Sequence, residues 1–260
     1  MKKICWLFIF VALLGAGAAF AGRGRLAQIF TAAAKPEIPP AQGVEKFVAT
    51  SSGSQRSSEV LPPREVKPRV EAPEKLNLAV PFTVQAPHAN WVQPYEDACE
   101  EASSAMVHYY YSQQKFANAD AADAELKEVF SWEDQTFGTN KDTTAEQTAR
   151  ILREHYGHKR VLVRYDITAE DIRAELRAGR PVIVPAYGKA LGNPYFKNGG
   201  PVYHMLVIKG YIGDDTFITN DPGTRRGADY VYNVKTLMNA IHDWNGGDVP
   251  NGRKVMIVTY

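Results

Sequence analysis

Two cysteines stand in this chain of 260 residues, and only Cys99 lies outside the N-terminal apolar stretch. With that stretch set aside, no intramolecular disulfide can form. A small disulfide-stapled scaffold is excluded, and a hydrophobic core has to hold the fold. The roughly 180 residues from Leu78 onward are ample for one. Before Leu78 the texture differs. Gly22 to Asn77 holds seven of the sixteen prolines, the polar run TSSGSQRSSE and only two aromatic residues. Such a segment buries too little apolar surface to offset the entropy of ordering, and it reads as a disordered Pro/Ser-rich linker.

The first residues set the compartment. Lys2 and Lys3 precede an apolar run, Ile4 to Phe20, which ends in Ala19-Phe20-Ala21. This is the pattern of a secretory signal peptide over residues 1–21, so the protein is expected to be exported: secreted, periplasmic or at the cell surface. An uncleaved membrane anchor over residues 4–20 is the alternative, although the run is slightly shorter than the about 20 residues of a span. The linker would then tether the domain to a membrane or cell wall. A formal net charge of +1 gives no electrostatic case for a nucleic-acid partner.

Within the domain, residues 78–260, helical patterns come early and strand patterns late. Leu78 to Val84 reads as a short strand. Helices are expected from Asp97 to Gln114, Ala121 to Trp132 and Thr143 to Tyr156, the last with Thr144 and Gln147 as a capping pair. Arg160 to Tyr165 is a strand, Thr168 to Ala178 a helix ended by Gly179, and Pro181 to Ala186 a strand. A glycine-rich loop, Tyr187 to Pro201, follows. Val202 to Ile212 and Thr216 to Asn220 form a hairpin around Gly213-Asp214-Asp215. Ala228 to Tyr232 is a strand, Val234 to His242 a helix and Lys254 to Tyr260 a terminal strand. That order argues for an α+β fold, with N-terminal helices packed on an antiparallel sheet.

Cys99 sits where the first of these helices should begin. Asp97 is a good N-cap, and Glu100 three residues later completes a capping box. Cys99 is then the second helical residue, where free N–H groups and the helix dipole favour a thiolate below the usual pKa of roughly 8.5. A small buried core residue is the plainer reading of the same cysteine.

A thiolate nucleophile needs a base and a group that orients it. His108 points to the opposite side of the helix, about 13 Å down the axis, and cannot serve. His155 and His158 flank Gly157 without a third ligand, so neither a metal nor a cofactor is expected. His88 lies in a loop, and His242 closes the last helix. His204 begins a strand of large apolar residues, VYHMLVIKGYI, where a polar ring needs a partner. A two-residue hairpin turn would put Asp221 on the face of His204; a three-residue loop would put Asn220 there instead. Cys99, His204 and Asp221 then form a nucleophile, base and orienter. Gln85 or Gln93 could donate to an oxyanion together with the Cys99 N–H.

The pieces VPFTVQAP, Trp91, DACEEASSAM, VYHMLVIKGY and TNDPGT, over Leu78 to Tyr260, resemble the papain-like cysteine peptidase superfamily. The nearer likeness is to its peptidase C thirty-nine-like branch, named after bacteriocin-processing peptidases. The resemblance implies Cys99 as nucleophile, His204 as general base and Asp221 as orienter. It favours Gln85 for the oxyanion, with Gln93 as second choice. Glu100 departs from the glycine that many relatives carry, and Glu100 with Glu101 sets negative charge beside the thiol. The expected activity is hydrolysis of peptide or amide bonds through an acyl-enzyme, on a peptide or cell-wall peptide substrate. Gly188 to Gly200 is read as a lid over the site. Acyl transfer to an amine on the same triad, or a non-catalytic tethered binding module, are the alternatives.

Overall fold

The computed structural model describes residues 36–47 and 72–260. The expected signal peptide, and residues 22–35 and 48–71 of the expected linker, lie outside the described residues. The fold is α+β, built on a seven-stranded sheet whose pairings are all antiparallel. The strands are β1 (Lys75–Asn77), β2 (Val161–Tyr165), β3 (Val182–Ala186), β4 (His204–Ile212), β5 (Thr216–Asn220), β6 (Tyr230–Asn233) and β7 (Val255–Thr259). They run in the order β2-β7-β3-β4-β5-β6, with β1 added along the far end of β4.

β1 falls inside the segment read as linker, so the ordered domain begins before Leu78. Residues of the 36–47 stretch join it. Gln42 bridges Leu78, and the Asn77 side-chain amide donates to the Pro39 carbonyl at 3.0 Å. The strand expected over Leu78 to Val84 is instead an extended segment without a ladder partner beyond that bridge. Pro81 has no N–H for a ladder. Asn220 substitutes for one, its amide donating to the carbonyls of Val80 at 3.0 Å and Pro81 at 3.2 Å.

Among the described residues from Lys75 onward, the α-helices are α1 (Cys99–Tyr111), α2 (Ala119–Thr136), α3 (Ala145–Arg150), α4 (Ala169–Arg177) and α5 (Val234–Ala240). The Thr144–Gln147 capping box starts α3, which widens into a π-helical turn at Ile151–His155. α1 lies against β4 and buries Met106, Val107 and Tyr110 in a core shared with β3, β4 and β7. The helix carrying Cys99 and the strand carrying His204 are therefore direct packing neighbours. Among the described residues, no helix is long and apolar enough to cross a membrane.

The hairpin corrects the expected turn. Ile212 pairs with Thr216, so the loop has three residues, Gly213 to Asp215. That alone would have turned Asn220, not Asp221, to the face of His204. The register then shifts by one between Ile208 and Gly210, and Val207 pairs with Asn220. The extra residue, Lys209, is a β-bulge that restores the parity. Its buried ammonium is held by Asp229 at 2.7 Å.

Candidate active site

The approach to Cys99 is a tight turn. A 3-10 helix, Tyr95–Asp97, runs directly into α1, with Ala98 at the N-cap and no side-chain cap. Cys99 is the first helical residue, and the capping box expected from Asp97 and Glu100 is absent. Asp97 instead accepts from the Gln93 amide at 2.7 Å. Gln93 is exposed and does not line the cleft, whereas Gln85 is buried and does. Gln85 is held on both sides. Its backbone N–H donates to Pro222 O at 3.0 Å, and its amide donates to the carbonyls of Tyr95 at 3.0 Å and Glu96 at 2.8 Å. In this resting arrangement the amide hydrogens fix the turn before Cys99, rather than facing open space.

His204 and Asp221 are buried together. His204 Nε2 lies 2.8 Å from Asp221 Oδ1, with 1% and 0% of the side chains exposed. Asp221 Oδ1 also accepts from the Gly223 N–H at 3.0 Å. Oδ2 accepts from the Tyr232 hydroxyl at 2.6 Å and the Asn193 amide at 3.1 Å. Burial alone would raise this carboxyl's pKa. The attraction of His204 and these hydrogen bonds outweigh burial and keep it below the ordinary carboxylate value. Phe196 meets the His204 ring edge to face at 5.3 Å between centroids.

Tyr232 and Asn193 were not foreseen as site residues. Asn193 lies inside the loop read as a lid. Asn193 and Leu191 are both buried, and Asn193 is bonded to Asp221 and Tyr232, so this half of the loop is pinned to the dyad. Tyr195 to Asn198 form one wall of the cleft.

Cys99, His204 and Gln85 line a single cleft of about 690 Å³, with Trp91, Tyr195, Phe196 and Tyr203 as its aromatic residues. Glu96, Asp97 and Asp142 are its acidic residues; Lys197, Arg225 and Arg226 are its basic ones. The Cys99 thiol donates to Glu100 Oε2 at 3.0 Å. Burial first, then the Glu100, Asp142 and Glu101 carboxyls, push the thiol well above its ordinary pKa. The expected thiolate-favouring start of the helix is thus outweighed. Glu100 and Glu101 are both buried, each about 1% exposed.

A single residue ties the helical and sheet sides of the cleft. The Thr143 N–H donates to Glu100 Oε1 at 2.8 Å, and the Thr143 carbonyl accepts from the Tyr203 hydroxyl at 2.8 Å. Tyr203 immediately precedes His204.

Residues 77–246 match the sequence profile of the Peptidase_C39 like family. The chain belongs to that family. Membership gives this C39-like chain a cysteine peptidase-like function at the coarse level. A comparison with curated protein sequences finds no match. Among solved structures, a candidate C39-like peptidase from Bacillus anthracis is similar at 16% identity and a TM-score of 0.48, covering 72% of this chain and 98% of that one.

Proposed function

We propose that the protein is an exported cysteine peptidase that cleaves peptide or amide bonds through Cys99, His204 and Asp221. The carrying observation is the buried His204–Asp221 dyad on the cleft that Cys99 lines. With Nε2–H donating to the Asp221 carboxylate, Nδ1 is the ring nitrogen left to take a proton. His204 accepts the Cys99 proton, and sulfur attacks the carbonyl carbon. The carbon–nitrogen bond breaks as His204 returns the proton to the leaving amine. A water molecule, deprotonated by His204, then cleaves the thioester and regenerates the thiol. The Cys99 N–H donates to the oxyanion. Gln85 is the second donor, after one of its N–H groups leaves a turn carbonyl. The substrate is a peptide or cell-wall peptide, for which the cleft offers aromatic surface and side chains of both charge signs. The N-terminal segment carries the domain out of the cytoplasm and can hold it at a membrane or cell wall.

One observation favours a second reading. Cys99 is only 2% exposed and its thiol faces Glu100. A non-catalytic binding module would keep an ordinary, latent thiol in just this way. Alkylation of Cys99 by iodoacetamide across pH separates the two. The peptidase reading expects His204→Ala to remove a reactive population seen at neutral pH in the wild type, together with peptide hydrolysis. Identical profiles in both proteins, with no hydrolysis, would establish the binding module.

A further inference from the structure

Resting on the peptidase reading, we infer that Glu100 is a positioning residue that works as a neutral carboxylic acid. Its carbonyl oxygen is anchored on Thr143, and its hydroxyl is a switchable hydrogen-bond donor to the Cys99 sulfur. The two oxygens face different partners. Oε1 meets an N–H, which only donates, at 2.8 Å; Oε2 meets sulfur at 3.0 Å. A protonated carboxyl satisfies both, with its C=O accepting from Thr143 and its hydroxyl oxygen accepting from the neutral thiol. An ionised one would hold a full charge in a fully buried position with only one N–H and one weak S–H donor, which is costly.

The groups facing Glu100 reinforce this. Cys99 and Glu101 share its helix, and Asp142 faces it from the loop before α3. Glu133 of α2 and Tyr203 before β4 also feel its charge. The dominant influences, burial followed by Glu101 and Asp142, favour the neutral form.

The consequence reaches the reaction. Once His204 has taken the thiol proton, Glu100 O–H can donate to the thiolate, a charge-assisted bond that the neutral thiol does not receive. As pH rises, Glu100 ionises. The donor disappears and a negative charge appears beside sulfur, so thiolate formation is opposed twice. Reactivity therefore falls on the alkaline side, where an ordinary cysteine becomes more reactive.

The test compares iodoacetamide alkylation and peptide hydrolysis across pH in wild type, Glu100→Gln and Glu100→Ala. Glutamine keeps a donor and cannot ionise. Expected results are a loss of about tenfold or more in Glu100→Ala, rescue in Glu100→Gln, and an alkaline fall seen only with the natural glutamate. Infrared difference spectra of wild type against Glu100→Gln should show a carboxylic-acid carbonyl band near neutral pH. Absence of that band, an unchanged alkaline limb in Glu100→Gln, or failure of Glu100→Gln to fold would overturn the inference. The peptidase reading is judged separately, by His204→Ala.

Discussion

Asp221 shares a face with His204 because β4 carries one residue more than β5, the bulged Lys209. The bulge compensates a three-residue loop, and the two irregularities together bring the carboxylate to the imidazole. The dyad is then locked by Gly223, Tyr232 and Asn193, so every lone-pair direction of a buried charge has a donor near it.

Removing that charge should unravel the cluster. Asp221→Ala leaves the Tyr232 hydroxyl, the Asn193 amide and His204 without their acceptor. Urea denaturation should report a loss of about 3–5 kcal/mol. A loss under about 1 kcal/mol would mean that the cluster does not hold this end of the sheet.

Tyr232→Phe is a gentler probe. It removes one donor to Asp221 and should cost roughly 1–2 kcal/mol. That hydrogen bond lowers the Asp221 pKa, so its loss raises it. The acid limb of the pH–rate profile of hydrolysis should move to higher pH. An unmoved limb would separate Asp221 ionisation from activity.

Gly223 separates activity from stability. A Cβ there would lie 2.9 Å from both His204 Cε1 and Phe196 Cε1. Real contacts are not that close, so the imidazole has to shift. Gly223→Ala should fold, losing only a few degrees in Tm, while kcat/KM falls by about tenfold or more. Wild-type kcat/KM in a folded Gly223→Ala would show that the ring position carries no catalytic weight.

Glu101 and Glu133 make stability depend on pH. Both are buried, and their charges would repel each other; burial pushes Glu101 well above the carboxylate range and raises Glu133 to about 8. Unfolded, both would titrate near roughly 4.3. Between those limits the folded state binds more protons than the unfolded state, so stability falls as pH rises. Thermal melts should lose several degrees between about pH 5 and pH 8, and Glu133→Gln should flatten the slope. A wild-type Tm that rises over this interval would contradict the proton count.

The fold and parts of the candidate site were legible where local chemistry dominates. The Thr144–Gln147 capping box, Gly179 after α4 and the α+β order of elements all follow from neighbouring residues. His204 announced itself as a polar ring in an apolar strand. Asp221 was reached through a two-residue turn that does not exist; the bulge cancelled the error. β4 could not reveal that bulge, because His204 to Tyr211 is buried continuously and leaves no polar alternation to slip. The burial of Glu100 and Glu101 was not legible, because the residues they meet, Thr143 and Glu133, are remote in sequence. The Asp97 cap failed for a related reason: Tyr95–Asp97 is already helical and held by Gln85 from ten residues upstream. Asn193 sat unnoticed among loop glycines, since only the folded chain brings it to Asp221.

Thr143 gives the cleft a mechanical character. Its N–H is latched to the helix that carries Cys99, and its carbonyl to the residue before His204. Widening the gap between Cys99 and His204 along this route means undoing one latch or the other. The separation behaves less like a spring than like a door with two bolts, whose side-chain halves are Glu100 and Tyr203 and whose sockets are the backbone of Thr143.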